Sequence, residues 1–130
     1  MADTAPKVPE KEHRESLAAI DQKAEVLVAD IKRSKNFIAF TGAGVSTSAG
    51  IPDFRGPSGV WTLRRQGKQN DIKAVNTLQA IPTATHMALV ELQNQGILKY
   101  LISQNCDGLH RKSGMLPVSQ LYNHTRICEG

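Results

Sequence analysis

The sequence predicts an α/β fold containing part of a doubly wound parallel sheet, and three observations carry that expectation. Phe37–Phe40 and Leu98–Ile102 are short apolar runs with the pattern of buried strands. A segment of helical periodicity, 82–95, lies between them, and a strand–helix–strand order favours parallel pairing. Each strand runs directly into a loop rich in Gly, Asn or Asp, at the carboxyl end where open parallel sheets bind ligands.

The elements follow in chain order. Residues 1–11 are polar with two prolines and are expected to be a flexible lead-in to one domain spanning 12–130. Residues 12–35 read as an amphipathic helix, because Leu17, Ile20, Ala24, Leu27, Val28 and Ile31 recur mostly at spacings of three and four. Lys32, Arg33 and Lys35 suit the negative pole at its end, a simpler reading than a localisation or nucleic-acid patch. The first strand then leads into Gly42 and Gly44, where the backbone can turn and approach a ligand without Cβ interference. Val45–Ala49 is expected to start a helix whose free N–H groups face a pyrophosphate. Residues 51–76 lack periodicity and hold Pro52, Gly56, Pro57, Gly59 and Gly67, the composition of a functional lid or of disorder. Helix resumes over 82–95 with Gly96 as its stop, and Leu98–Ile102 is the second strand.

Bulk composition narrows the function classes. The chain has 130 residues, 40% of them hydrophobic, enough for one globular domain with a core. Its net charge of +4 comes from scattered basic residues, so no direct nucleic-acid motif is read. No apolar run reaches membrane-spanning length and no signal-peptide core is seen, so no membrane partner and an intracellular location are expected. Cys106 and Cys128 form no Cys-x-x-Cys pair, so no structural zinc site is encoded and reduced thiols are expected.

The loops carry the chemistry. Gly42, Ala43 and Gly44 offer backbone N–H groups to a diphosphate, and Ser46 or Thr47 could add a hydroxyl; the alternative is an ordinary strand-to-helix turn. The generic dinucleotide fingerprint is incomplete. Thr47 takes the third glycine position, and no acidic residue ends a second strand about 20 residues on. Asp53, Phe54 and Arg55 follow Pro52; the arginine can pair with phosphate, and Phe54 with Trp61 can cover a sugar or simply pack. After the second strand, Gln104, Asn105 and Asp107 place amide and carboxylate groups where a ribose hydroxyl or carboxamide could be held, or form a polar turn. His110 reads as structural, His86 as a packed or surface histidine, and His13 as solvent-exposed.

Taken together, Gly42-Ala-Gly-Val-Ser46, Gly50-Ile-Pro-Asp-Phe-Arg55, Gly56-Pro-Ser-Gly-Val-Trp-Thr62 and Gln104-Asn-Cys-Asp-Gly-Leu-His110 resemble the signatures of the sirtuin family. Pro82-Thr-Ala-Thr-His-Met-Ala-Leu-Val90 is most similar to its nuclear, chromatin-associated branch. The resemblance runs from about Ala24 to about Leu121. It implies a partial Rossmann-like domain and an NAD-dependent protein lysine deacylase that releases nicotinamide and passes the acyl group to ADP-ribose. It implies NAD as cofactor, held by Gly42, Ala43, Gly44, Ser46, Thr47, Asp53, Phe54, Arg55, Trp61, Gln104, Asn105 and Asp107. Asn105 also counts as catalytic, positioning a water or ribose hydroxyl. The implied substrate is an acylated-lysine protein, a histone or other nuclear protein, and the implied location nuclear or cytoplasmic.

Two departures matter. The family's histidine base, expected soon after His110, meets Leu121-Tyr-Asn-His-Thr-Arg126, where spacing selects His124 and the preceding leucine selects Tyr122. Zinc is expected for the complete family domain, but its four cysteines are absent here, and the chain reads as the N-terminal part of a truncated catalytic core. The alternative function is therefore a catalytically inactive remnant acting as a binding or regulatory protein. A hydride-transferring dehydrogenase is disfavoured by the missing ribose-binding acid.

Overall fold

The computed structural model describes residues 13–68, 79–116 and 125–127, the last three by backbone alone. Three strands pair in the order β1-β2-β3, all parallel: β1 (Phe37–Thr41), β2 (Leu98–Ser103) and β3 (Thr125–Ile127). Among the described residues four helices accompany them: α1 (Leu17–Arg33), α2 (Val60–Arg65), α3 (Ala84–Asn94) and α4 (Leu109–Lys112). This is an α/β arrangement of Rossmann-like type.

β1 and β2 set the geometry of everything that follows. Phe37 pairs with Leu98 and Thr41 with Ser103, so both strands end level and their two loops leave the sheet side by side. The register shifts after Phe37, where Ile38 pairs with Tyr100 and Lys99 is skipped. That extra residue resets the alternation, which is why Leu98 and Leu101, three apart, are both buried. They join Leu89 of α3 and Met115, with Phe37, Ala39, Val90 and Leu92 packed against them. Burying a leucine of this kind contributes about 1.5–3 kcal/mol.

The helices obey their end signals. Ser16 caps α1 by accepting from the Ala19 N–H at 3.3 Å, which starts the helix later than residue 12. Thr83 caps α3, and Gly96 turns the chain away in the left-handed region at φ 69°.

Four sequence expectations need correction. Val45–Ala49 forms no α-helix; two single 3₁₀ turns, Ala43–Val45 and Thr47–Ala49, meet at Ser46, and Gly50 ends them at φ 85°. Ser46 sits at φ −109°, ψ −7° and its side chain is tied elsewhere, so helical bonding does not propagate through it. The stretch 51–76 is not wholly irregular. Its described part contains α2, whose first N–H groups bond back into the loop: Val60 to the Asp53 carbonyl and Trp61 to the Phe54 carbonyl. β1 is not buried on both faces, since Ile38 is 56% and Phe40 69% exposed. Nor does α1 bury a single residue, although its apolar stripe exists. Both faces are read correctly as apolar; burial also requires a covering layer, and the described residues supply none. Among the described residues no helix is long and apolar enough to cross a membrane. Tyr122, His124 and Cys128 lie outside the described residues.

Candidate functional site

The glycine turn, the 53–61 loop and the segment after β2 converge on one cleft of about 300 Å³, lined by Ala43, Gly44, Asp53, Phe54, Arg55, Trp61, Gln104 and Asn105. Three segments far apart in sequence thus meet at the carboxyl ends of β1 and β2, as the strand–loop pattern predicts.

The two glycines do different work. A Cβ on Gly42 would collide with Gln104 Nε2, so Gly42 lets the first loop lie against the second. A Cβ on Gly44 would meet nothing within 4 Å, and Gly44 lies on the cleft. No protein contact therefore requires glycine there, whereas a ligand approaching the backbone would. The turn bonds Val45 N–H to the Gly42 carbonyl and Ser46 N–H to that of Ala43. The N–H groups of Ala43 and Gly44 precede that bonding, as at any helical start, on residues that line the cleft.

Cross-links hold the two loops together. Asn105 Nδ2 donates to the Gly42 carbonyl at 2.9 Å and reaches Ser46 Oγ at 3.4 Å. Ser46, fully buried, donates to Asp107 Oδ2 at 2.6 Å, and Asp107 Oδ1 accepts the Leu109 N–H at 2.9 Å. The Gln104 N–H donates to the Thr41 carbonyl at 3.2 Å. Of the residues singled out from sequence, Ser46 and Asp107 thus stand behind the cleft wall, bonded to each other. Thr47 donates to the Gly44 carbonyl at 3.0 Å and faces a neighbouring hollow shared with Gly50–Asp53 and Gly56–Ser58.

The third wall is a compact aromatic unit. Phe54 and Trp61 rings lie 5.1 Å apart, and the Arg55 guanidinium sits 5.1 Å above the Trp61 ring. Asp53 Oδ2 accepts the Gly56 N–H at 3.0 Å, which closes the turn beneath them. A Cβ on Gly59 would sit 2.6 Å from the Phe54 carbonyl carbon, so the turn can pack this tightly only with glycine there. The cleft therefore offers backbone donors, a guanidinium and an aromatic face. That combination suits a ligand with both phosphates and flat rings.

Sequence reasoning missed the threonine partners and the pairing in the layer beneath. Thr41, Thr83, His86 and His110 are buried together, with His110 Nε2 2.8 Å from Thr41 Oγ1 and His86 Nδ1 2.7 Å from Thr83 Oγ1. Thr83 also donates to the Val45 carbonyl at 2.8 Å. The only signal available was negative: two histidines at positions otherwise suited to apolar residues.

This is the architecture of a Rossmann-like nucleotide site formed by two adjacent strand-end loops and a lid. The model of the Sir2 family matches residues 42–80 and 69–128, and the chain belongs to that family. Among curated relatives, it is 57% identical over 93 residues to the NAD-dependent protein deacetylase SRT1 of Arabidopsis thaliana, covering 72% of this chain and 20% of that one. It is 52% identical over 96 residues to the NAD-dependent protein deacetylase Sirt6 of Drosophila melanogaster, covering 74% and 30%. A solved complex of Sir2 with p53 peptide and NAD+ superposes with a TM-score of 0.55 at 30% identity, covering 69% of this chain and 41% of that one. Another Sir2 enzyme structure gives a TM-score of 0.60 at 30% identity, covering 74% and 44%. The chain spans a fifth to a third of the length of these two curated relatives.

Proposed function

We infer that this chain carries the NAD-binding part of an NAD-dependent protein lysine deacylase. The observation that carries the reading is Gly44: a glycine that no protein contact requires, placed on the cleft beside Ala43, Arg55 and Asn105. Relatives of this family are named NAD-dependent protein deacetylases, and one solved relative holds NAD+ with a p53 peptide. NAD supplies an activated ribosyl group whose nicotinamide can leave.

In this reading the chain's own residues bind and orient. Ala43 and Gly44 N–H groups, with Arg55, hold the diphosphate. Phe54 and Trp61 cover the ribose and keep water from it. Gln104 and Asn105 fix the nicotinamide-side ribose, and Asp107 and Ser46 hold that wall in shape. The acyl acceptor is ADP-ribose and the substrate class an acylated-lysine protein. A histone or other nuclear protein, met in the nucleus, fits the similarity to Sirt6 and to sirtuin-7 of Homo sapiens, 41% identical over 107 residues.

The test is nicotinamide release from NAD with and without an acetyl-lysine peptide. Peptide-dependent release with matched deacetylation supports the reading. Binding of NAD without release would leave a nucleotide-binding or regulatory protein, and absorbance at the reduced-nicotinamide band would mean hydride transfer instead.

A further inference from the structure

His86 in the first turn of α3 and His110 in α4 lie outside the cleft, 0% and 3% exposed, with ring centroids 4.6 Å apart. Each ring is tied to one threonine, and each threonine to a cleft loop. Thr41, bonded to His110, ends β1 immediately before Gly42. Thr83, whose backbone N–H donates to His86 Nδ1, gives its one hydroxyl proton to the Val45 carbonyl inside the glycine turn. His110 itself lies three residues beyond Asp107, the acceptor of the Ser46 hydroxyl.

We propose that His86 and His110 are positioning residues for the cleft: as an uncharged, packed pair they hold the Gly42–Ser46 turn in register with the Gln104–Asp107 loop, and a proton added to either ring releases that register. The proposal deepens the NAD-binding reading and rests on it for the ligand.

The hydrogen bonds require the uncharged form. The Thr83 N–H donates to His86 Nδ1 at 3.2 Å, completing the α3 capping box, so that nitrogen presents a lone pair. An imidazolium would add an N–H at Nδ1 against this N–H, while the Nε2 N–H, already present in the neutral ring, has no partner among the described residues in either state. His110 Nδ1 is likewise buried without a partner among the described residues, so a charged His110 also buries an unsatisfied donor. Two cations with ring centroids 4.6 Å apart would repel as well.

Burial lowers the affinity of both rings for protons, and His86 lowers that of His110 further; Asp107, on the loop before α4, acts in the opposite direction on both. From β1 and the α3 cap the pair is met by Thr41 and Thr83, neither of which ionises in this range. Because the folded rings bind protons less readily than free histidine, the closed arrangement is fully favoured above about pH 6.5. It is lost as pH falls below that value toward the depressed folded pKa.

The experiment is an NMR pH titration of the 130-residue chain, read at both imidazole rings and at backbone amides, paired with calorimetry of NAD at pH 7.5 and 5.5. Both rings are expected to stay neutral below the usual histidine range. On titrating they should move the amides of Val45, Ser46, Asn105 and Asp107 in the same step. NAD affinity should fall about tenfold or more over the same interval, the effect of roughly one pH unit of linked protonation. His86→Asn with His110→Gln places neutral amide groups near Nδ1 and Nε2. This pair should keep affinity at pH 7.5 within about threefold, less than 1 kcal/mol, and flatten the fall. Rings that titrate normally, loop amides that ignore them, or a fall that survives in the amide pair would each overturn the proposal. A coupled ring-and-loop titration in a chain that binds no NAD at either pH would sink the cofactor reading and leave the positioning unit standing.

Discussion

Ser46 donates its hydroxyl proton to Asp107 Oδ2 at 2.6 Å, joining two loops 61 residues apart in sequence. The serine is fully buried and the carboxylate also accepts the Leu109 N–H, so one short bond pins the glycine turn to the start of α4. The cleft in front of these residues has its shape because this bond exists behind it.

Ser46→Ala should therefore act at a distance from any ligand. Leaving the partly buried carboxylate short of one donor costs about 0.5–1.5 kcal/mol of stability. Thermal denaturation should show that loss, with NAD affinity reduced in parallel. Asp107→Asn, which can still accept from Ser46, should lose less stability. If alanine at 46 leaves the melting temperature unchanged, the cross-link is not what holds the loops.

The glycines separate by the same logic. Gly42→Ala pushes on the far end of the flexible Gln104 side chain, which can yield, so the fold should survive while Gln104 is displaced from the cleft. A Cβ at Gly44 meets no described atom within 4 Å, so Gly44→Val should alter stability by no more than about 0.5 kcal/mol, as surface substitutions do. Paired melts and NAD titrations of the two variants check this contrast.

Asn105 tests the charge logic. Its amide donates to the Gly42 carbonyl, and Asn105→Asp would face that oxygen with a carboxylate beside the expected diphosphate. Asn105→Asp should weaken NAD binding more than Asn105→Ala, and added salt should narrow the difference. Equal affinities would place the diphosphate elsewhere.

Trp61 is the chain's one tryptophan, stacked with Phe54 and under Arg55. Its fluorescence should change on addition of NAD. Arg55→Gln removes a cation–π contact worth about 0.5–2 kcal/mol and should shift the unliganded spectrum as well. A tryptophan signal indifferent to both would mean the aromatic unit is not a lid.

Much of this was legible before any coordinates. β1, β2, α3 and the convergence of the loops after Phe40 and Ser103 follow from apolar runs ending in glycine or Asn-Asp turns. α2 was not, because Pro57 and Gly59 mask a six-residue helix that is started by bonds to Asp53 and Phe54 rather than by periodicity. The 3₁₀ turns at 43–49 were misread as a helix because the tie between Ser46 and Asp107 is tertiary and leaves no local trace. His110 reads as structural and His86 as either packed or on the surface, but their partners, Thr41 and Thr83, are threonines with no distinguishing sequence context.

The most direct measurement is an amide-shift map of NAD added to the isotope-labelled chain. The largest changes should fall on Gly42–Gly44, Phe54–Trp61 and Gln104–Asn105, and Gly44→Val should abolish them without disturbing the unliganded spectrum beyond its neighbours. Shifts absent from these three segments, or undiminished in a folded Gly44→Val chain, would contradict the assignment of the cleft to NAD.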